Sequence, residues 1–151
     1  MSKMSQIIAD AGGLWHVKGP PVAEAVLEKF LAECPYRLPA EYSELVRAVN
    51  GAEGSLDIRP WWFQLWRVEE VIEMNEGYSM AELHSGYFAF GSSGGGVLFA
   101  FNVNSPADQR VFAVPLDSPD HEDVREVAPD LLTFARALGR SDDNGLEEDE
   151  A

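Results

Sequence analysis

Two short apolar runs, residues 87–90 and 97–101, are separated by Gly91-Ser92-Ser93-Gly94-Gly95-Gly96. Runs of this length, rich in aromatic and aliphatic residues and bounded by glycine and serine, are strand signals. The glycines supply the positive φ angles that hairpin loops require. The pattern predicts an antiparallel hairpin, with Val97, Phe99 and Phe101 on one face at the strand period of two. A third strand is predicted at 111–114, after a turn over 102–109, and a short fourth at 124–127. An antiparallel meander with helices placed outside it defines an α+β fold.

Helical spacing dominates before and after the meander. Val22, Val26, Leu27, Phe30 and Leu31 recur on one face, with Glu24, Glu28, Lys29 and Glu33 on the other. Pro35 ends that helix. A second helix opens at Leu38-Pro39, where proline loses no hydrogen bond. Its stripe is Tyr42, Leu45, Val46 and Val49, and Asn50-Gly51 is its stop signal. The pair is expected to pack as a helical hairpin. Residues 56–58 and 61–67 look extended. Val71 and Ile72 among Glu69, Glu70 and Glu73 mark a helix over 68–75. Pro129 opens the last helix, with Leu131, Phe134, Ala135 and Leu138 inward. Residues 1–21 are ambiguous and are punctuated by Gly12-Gly13 and Gly19-Pro20-Pro21.

The length of 151 residues fits one domain, expected over 1–140. With 46% hydrophobic residues the chain has enough apolar material for a core. No apolar run approaches the length that crosses a membrane, and residues 1–13 lack the apolar segment of a secretion signal. Cys34 is the one cysteine, so no internal disulfide forms, in keeping with a cytoplasmic setting. The 26 acids and 11 bases give a net charge of -15; six of those acids lie in 141–151, leaving 20 acids against 11 bases, or -9, for the remainder. Residues 141–151 read as an acidic disordered tail. An acidic surface repels phosphate backbones, which argues against a nucleic-acid partner, and it accelerates encounter with a basic protein.

No catalytic or metal constellation emerges. His16, His84 and His121 are scattered, without a second ligand at zinc-site spacing. Asp117, Asp120, Glu122 and Asp123 are dense in carboxylates but match no calcium-loop spacing. No enzymatic activity and no cofactor are therefore expected. The Gly91–Gly96 run is a hairpin loop first, although Ser92, Ser93 and Gly94 could border a cleft, and glycine-rich loops can hold phosphate or a small ligand. It lacks both the Gly-Lys-Ser/Thr ending and the following helix of a phosphate loop. Trp61, Trp62 and Trp66 are the conspicuous binding candidates: three tryptophans within six residues, followed by Glu69, Glu70 and Glu73. Tryptophan is enriched at binding hot spots. Plain core packing of the tryptophans and a groove lining are both open at this point; on the second, these six residues form an aromatic floor with an acidic rim, suited to a basic protein partner.

Four segments, in order, resemble the SUKH superfamily, Smi/Knr-type. Leu38-Pro39-Ala40-Glu41-Tyr42 through Asn50-Gly51 is similar to its Leu-Pro-x-x-Tyr helix and Asn-Gly stop. Leu65-Trp66-Arg67-Val68-Glu69-Glu70-Val71 through Asn75 resembles the strand and helix that follow. Phe88-Ala89-Phe90-Gly91 with Gly94-Gly95-Gly96 is similar to its glycine-rich hairpin, and Val127-Ala128-Pro129-Asp130-Leu131 through Phe134 to its closing helix. Asn102 departs from the Asp often found in relatives. The Trp61-Trp62 pair and the acidic tail are not features of the resemblance. The resemblance implies one sheet with packed helices, a binding cleft and no catalytic residues. It implies an immunity protein that neutralises a toxin, as for many bacterial members, or a regulatory domain, as for fungal members that act in cell-wall synthesis. It identifies no partner and leaves the oligomeric state open.

Overall fold

The computed structural model describes residues 2–11, 15–105, 107–118 and 120–139. The expected acidic tail, 141–151, lies outside them. Among the described residues there are six α-helices and one seven-stranded sheet. The strands are β1 (Val17–Lys18), β2 (Ala52–Ser55), β3 (Trp62–Leu65), β4 (Tyr87–Ser92), β5 (Val97–Asn102), β6 (Val111–Pro115) and β7 (Arg125–Ala128). They lie in chain order and every neighbouring pair is antiparallel. The helices are α1 (Lys3–Ala11), α2 (Glu24–Glu33), α3 (Ala40–Ala48), α4 (Val68–Gly77), α5 (Met80–Leu83) and α6 (Leu131–Arg136). None is long and apolar enough to cross a membrane.

The core forms where the hairpin predicted from the glycine run meets α3 and α6. The register of β4 on β5 slips between Ala89 and Gly91, which inserts Phe90 as an extra residue. Such a bulge re-aims a side chain. The Phe90 ring lies 4.5 Å from Phe101, and 5.9 Å from both Tyr42 and Phe134. Gly91 follows because a Cβ there would sit 2.6 Å from the Gln64 carbonyl oxygen of β3. Gly94, at φ +78°, supplies the positive φ angle of the loop.

The structure assigns one open segment and corrects three expectations. Residues 1–21 contain a helix: α1 buries Met4, Ile7, Ile8 and Ala11, a regular helical stripe, against α3 and α6. The helical hairpin is only partial, because α3 packs chiefly on α1. It touches α2 through Phe30 and Tyr42, 6.1 Å apart, and through the Arg47–Glu24 ion pair at 2.9 Å. Leu31 is 45% exposed rather than inward. It stands one residue past Phe30, on the flank of a short surface helix whose buried line is Leu27 and Phe30. The strand expected at 56–58 is β2, just before it; Leu56 instead forms a single bridge with Leu138.

Candidate protein-binding groove

α4 is positioned by two asparagines. At its start, the Val68 N–H donates to Asn50 Oδ1 at 2.9 Å, and Asn50 Nδ2 donates to Glu69 Oε1 at 2.8 Å. The second bond holds the Glu69 carboxyl below its ordinary range. Near its end, Asn75 is buried and bonded to β4. Val68, Val71 and Asn75 thus face inward, leaving Glu69, Glu70, Glu73 and Glu76 exposed along the outer side of the helix. Carboxylates in the first turn also favour the positive end of the helix dipole.

Half-buried Ile72 interrupts that acidic row, and a hollow opens on each side of it. The larger, of about 280 Å³, lies between α4, α5, the start of β4 and the turn at Pro35-Tyr36. Tyr36, Ile72, Met80, Tyr87 and Phe88 give it an apolar wall, and Glu76 and Glu82 are its charged groups; among the described residues, no basic one lines it. Tyr36 packs on Phe88 at 5.5 Å and is itself 39% exposed. The smaller hollow, of about 210 Å³, lies between α2 and α4 and combines Val26, Phe30 and Ile72 with Lys29, Glu33 and Glu69.

The three tryptophans occupy separate settings. Trp66 is buried and stacks on Tyr78, with centroids 6.1 Å apart and planes 10° from parallel. Trp62 is half-buried beside His16, at 5.0 Å, on the sheet face opposite Phe63 and Leu65. Trp61 is 54% exposed, adopts φ +78° and lies 5.9 Å from the Arg59 guanidinium. That turn borders a third hollow against Val97, Ala113 and Val127 of the β5–β7 side. Of the expected floor and rim, α4 gathers Glu69, Glu70 and Glu73 in one row, and the tryptophans do not join it. Sequence reading missed Tyr36, Tyr87, Glu76 and Glu82. Only the helical spacing of Glu76 from Ile72 and Glu73 signalled any of them.

Two N–H groups of the glycine loop bond within the loop itself. The Gly94 N–H donates to Ser92 Oγ at 2.8 Å and the Gly95 N–H to Ser93 Oγ at 3.2 Å. Those are donors a bound phosphate would need. Ser92 is buried, Ser93 half-buried and Gly94 exposed, with the site of a Gly94 Cβ 3.2 Å from the Trp62 ring. Among the described residues, no group of His, Cys, Asp and Glu is arranged to hold a metal ion. Cys34 is half-buried, and burial pushes its thiol up in pKa, away from the reactive thiolate.

A family model matches residues 21–137, the part of the chain that holds the glycine-rich β4–β5 loop, α4 laid on β4 and the closing α6. The chain belongs to the SMI1 / KNR4 family (SUKH-1). The SUKH-1 match runs from the approach to α2 through the end of α6, so both hollows beside Ile72 lie within it, while α1 and β1 precede it. A search of curated proteins finds no match.

Proposed function

We propose that this protein is a non-catalytic binding module of the immunity type, which sequesters a basic toxin domain in the cytoplasm. The observation that carries this reading is the groove beside α4, with its aromatic wall, carboxylate rim and no basic residue. Membership of the SUKH-1 family supports a protein partner, and a net charge of -15 favours a basic one. Sequestration needs area and charge together. The groove offers desolvated apolar contact, while Glu69, Glu70 and Glu73 attract and orient the partner. Trp61 is the tryptophan with most surface to lose on binding. An interface of about 1,600 Å² in total is typical of such complexes.

The test is affinity capture from the host lysate at low and high salt, followed by expression of each captured polypeptide alone and with this protein. The expected result is one basic polypeptide, released by salt, that arrests growth alone and is harmless when co-expressed. Recovery only of endogenous cell-wall synthesis proteins, with no growth arrest to relieve, would replace the immunity reading with a regulatory one.

A further inference from the structure

We infer that the groove between α4, α5 and β4 is an anchor site for a single lysine or arginine side chain of the protein partner. This rests on the binding-module reading and names the chemistry that the groove selects. The site has three parts. Tyr36, Ile72 and Phe88 form an apolar wall on which an aliphatic stem can lie. Tyr36 and Tyr87 bring two aromatic rings to the same space, and aromatic rings attract cations. Glu76 and Glu82 provide two carboxylates that, among the described residues, make no ion pair.

The side-chain amide of the groove is already committed. The Asn75 amide donates to the Val71 and Ala89 carbonyls and accepts from the Ala89 N–H, so it offers an incoming ligand little. A neutral apolar side chain would leave both carboxylates unmatched, and an acidic one would be repelled. A side chain with a long apolar stem and a cationic head satisfies wall and rim together, as lysine and arginine do when their stems cover apolar surface. Among the described residues the lining holds no base, so none of them neutralises the rim from within.

The test is a titration of the full ¹⁵N-labelled chain with acetyl-tetralysine-amide, followed by amide chemical shifts, with acetyl-tetraglutamate-amide as the charge control. The expected result is that shifts concentrate at Tyr36, Ile72, Glu76, Glu82 and Phe88. The double variant Glu76→Gln/Glu82→Gln should weaken binding about two- to thirtyfold, the range given by two exposed ion pairs. Tyr36→Ala should also weaken it, with the spectrum of the remaining protein unchanged. Glu69→Gln/Glu73→Gln, on the same helix but off this groove, should weaken it less. Shifts spread evenly over the acidic surface, equal weakening by the two double variants, or no shifts at all would overturn the inference. The captured partner then separates the two levels. If it still binds and is still neutralised when the peptide result is negative, the anchor assignment falls while the binding-module reading stands.

Discussion

Asn75 and Ala89 are joined by a reciprocal pair of hydrogen bonds: Asn75 Nδ2 donates to the Ala89 carbonyl and the Ala89 N–H donates to Asn75 Oδ1, both at 2.8 Å. A side-chain amide thereby completes the backbone of β4 at the residue before the Phe90 bulge. A third bond, from Nδ2 to the Val71 carbonyl at 2.8 Å, ties the same amide to its own helix. This clip sets the position of α4 on the sheet, and with it the position of Glu76 beside the groove.

Replacing Asn75 with Ala should therefore cost more than one ordinary hydrogen bond. It leaves a buried N–H and a buried carbonyl of Ala89 unpaired, and destabilisation of about 2–4 kcal/mol is expected. Urea unfolding monitored by tryptophan fluorescence measures this. A loss below about 0.5 kcal/mol would mean that the clip does not hold the helix.

Gly91→Ala should be similarly severe for a different reason. The added Cβ would stand 2.6 Å from the Gln64 carbonyl oxygen, a backbone atom that moves only if β3 moves. Either the β3–β4 pairing opens or the strand shifts, at about 2–4 kcal/mol. Gly96→Ala is the matched control, since nothing lies within 4 Å of its Cβ position. Thermal melts of the two variants should differ clearly.

Tyr42→Phe should leave stability unchanged or raise it. The ring sits in the aromatic core, but its hydroxyl is buried without a hydrogen-bond partner among the described residues. Removing a polar atom that folding strips of water is expected to add up to about 1 kcal/mol. A substantial loss in denaturant unfolding would reveal a partner for the hydroxyl.

Asp108 should give a pH dependence confined to acid. Its carboxyl is pulled from the ordinary 3.8 down to about 2, first by the Arg110 side chain, which donates to it at 2.8 and 2.9 Å. A carboxyl lowered in the folded state stabilises fully above its unfolded pKa, and this contribution is lost as pH falls from about 4 through about 2. Arg110 is half exposed, so solvent screening keeps the effect below about 1 kcal/mol. Unfolding curves of Asp108→Asn and the parent should be separated at pH 6 and draw together as pH falls through about 2. A constant separation would exclude this carboxyl as the source.

Charge reversal at Glu69 and Glu70 should act on encounter. Glu69→Lys/Glu70→Lys is expected to slow association with a basic partner by about two- to tenfold at low salt, with a shallower salt dependence. Stopped-flow mixing with the captured partner gives both rates. An unchanged association rate would remove the outer row of α4 from the interface. Because Glu69 also receives the Asn50 bond, Glu70→Lys alone isolates steering from any local loosening.

The sequence by itself determined the fold class, the β4–β5 hairpin, the helices over α3, α4 and α6 and the acidic character of the surface. Each follows from a local rule: strand alternation around a glycine loop, helical spacing of apolar residues, proline and Asn-Gly at helix ends, and a count of charges. The family resemblance was legible for the same reason, because its marks are short motifs in fixed order. Tertiary structure alone decided which of these elements meet. It buried Trp66 on Tyr78, left Trp61 outside and used α1, which the sequence left without an assignment, to cover α3. It also brought Tyr36 and Phe88, 52 residues apart, to 5.5 Å beside Glu76 and Glu82. Periodicity reports which side of an element is apolar. Which residues from different elements share one groove depends on the register of the sheet and on two buried asparagines, and neither leaves a local pattern.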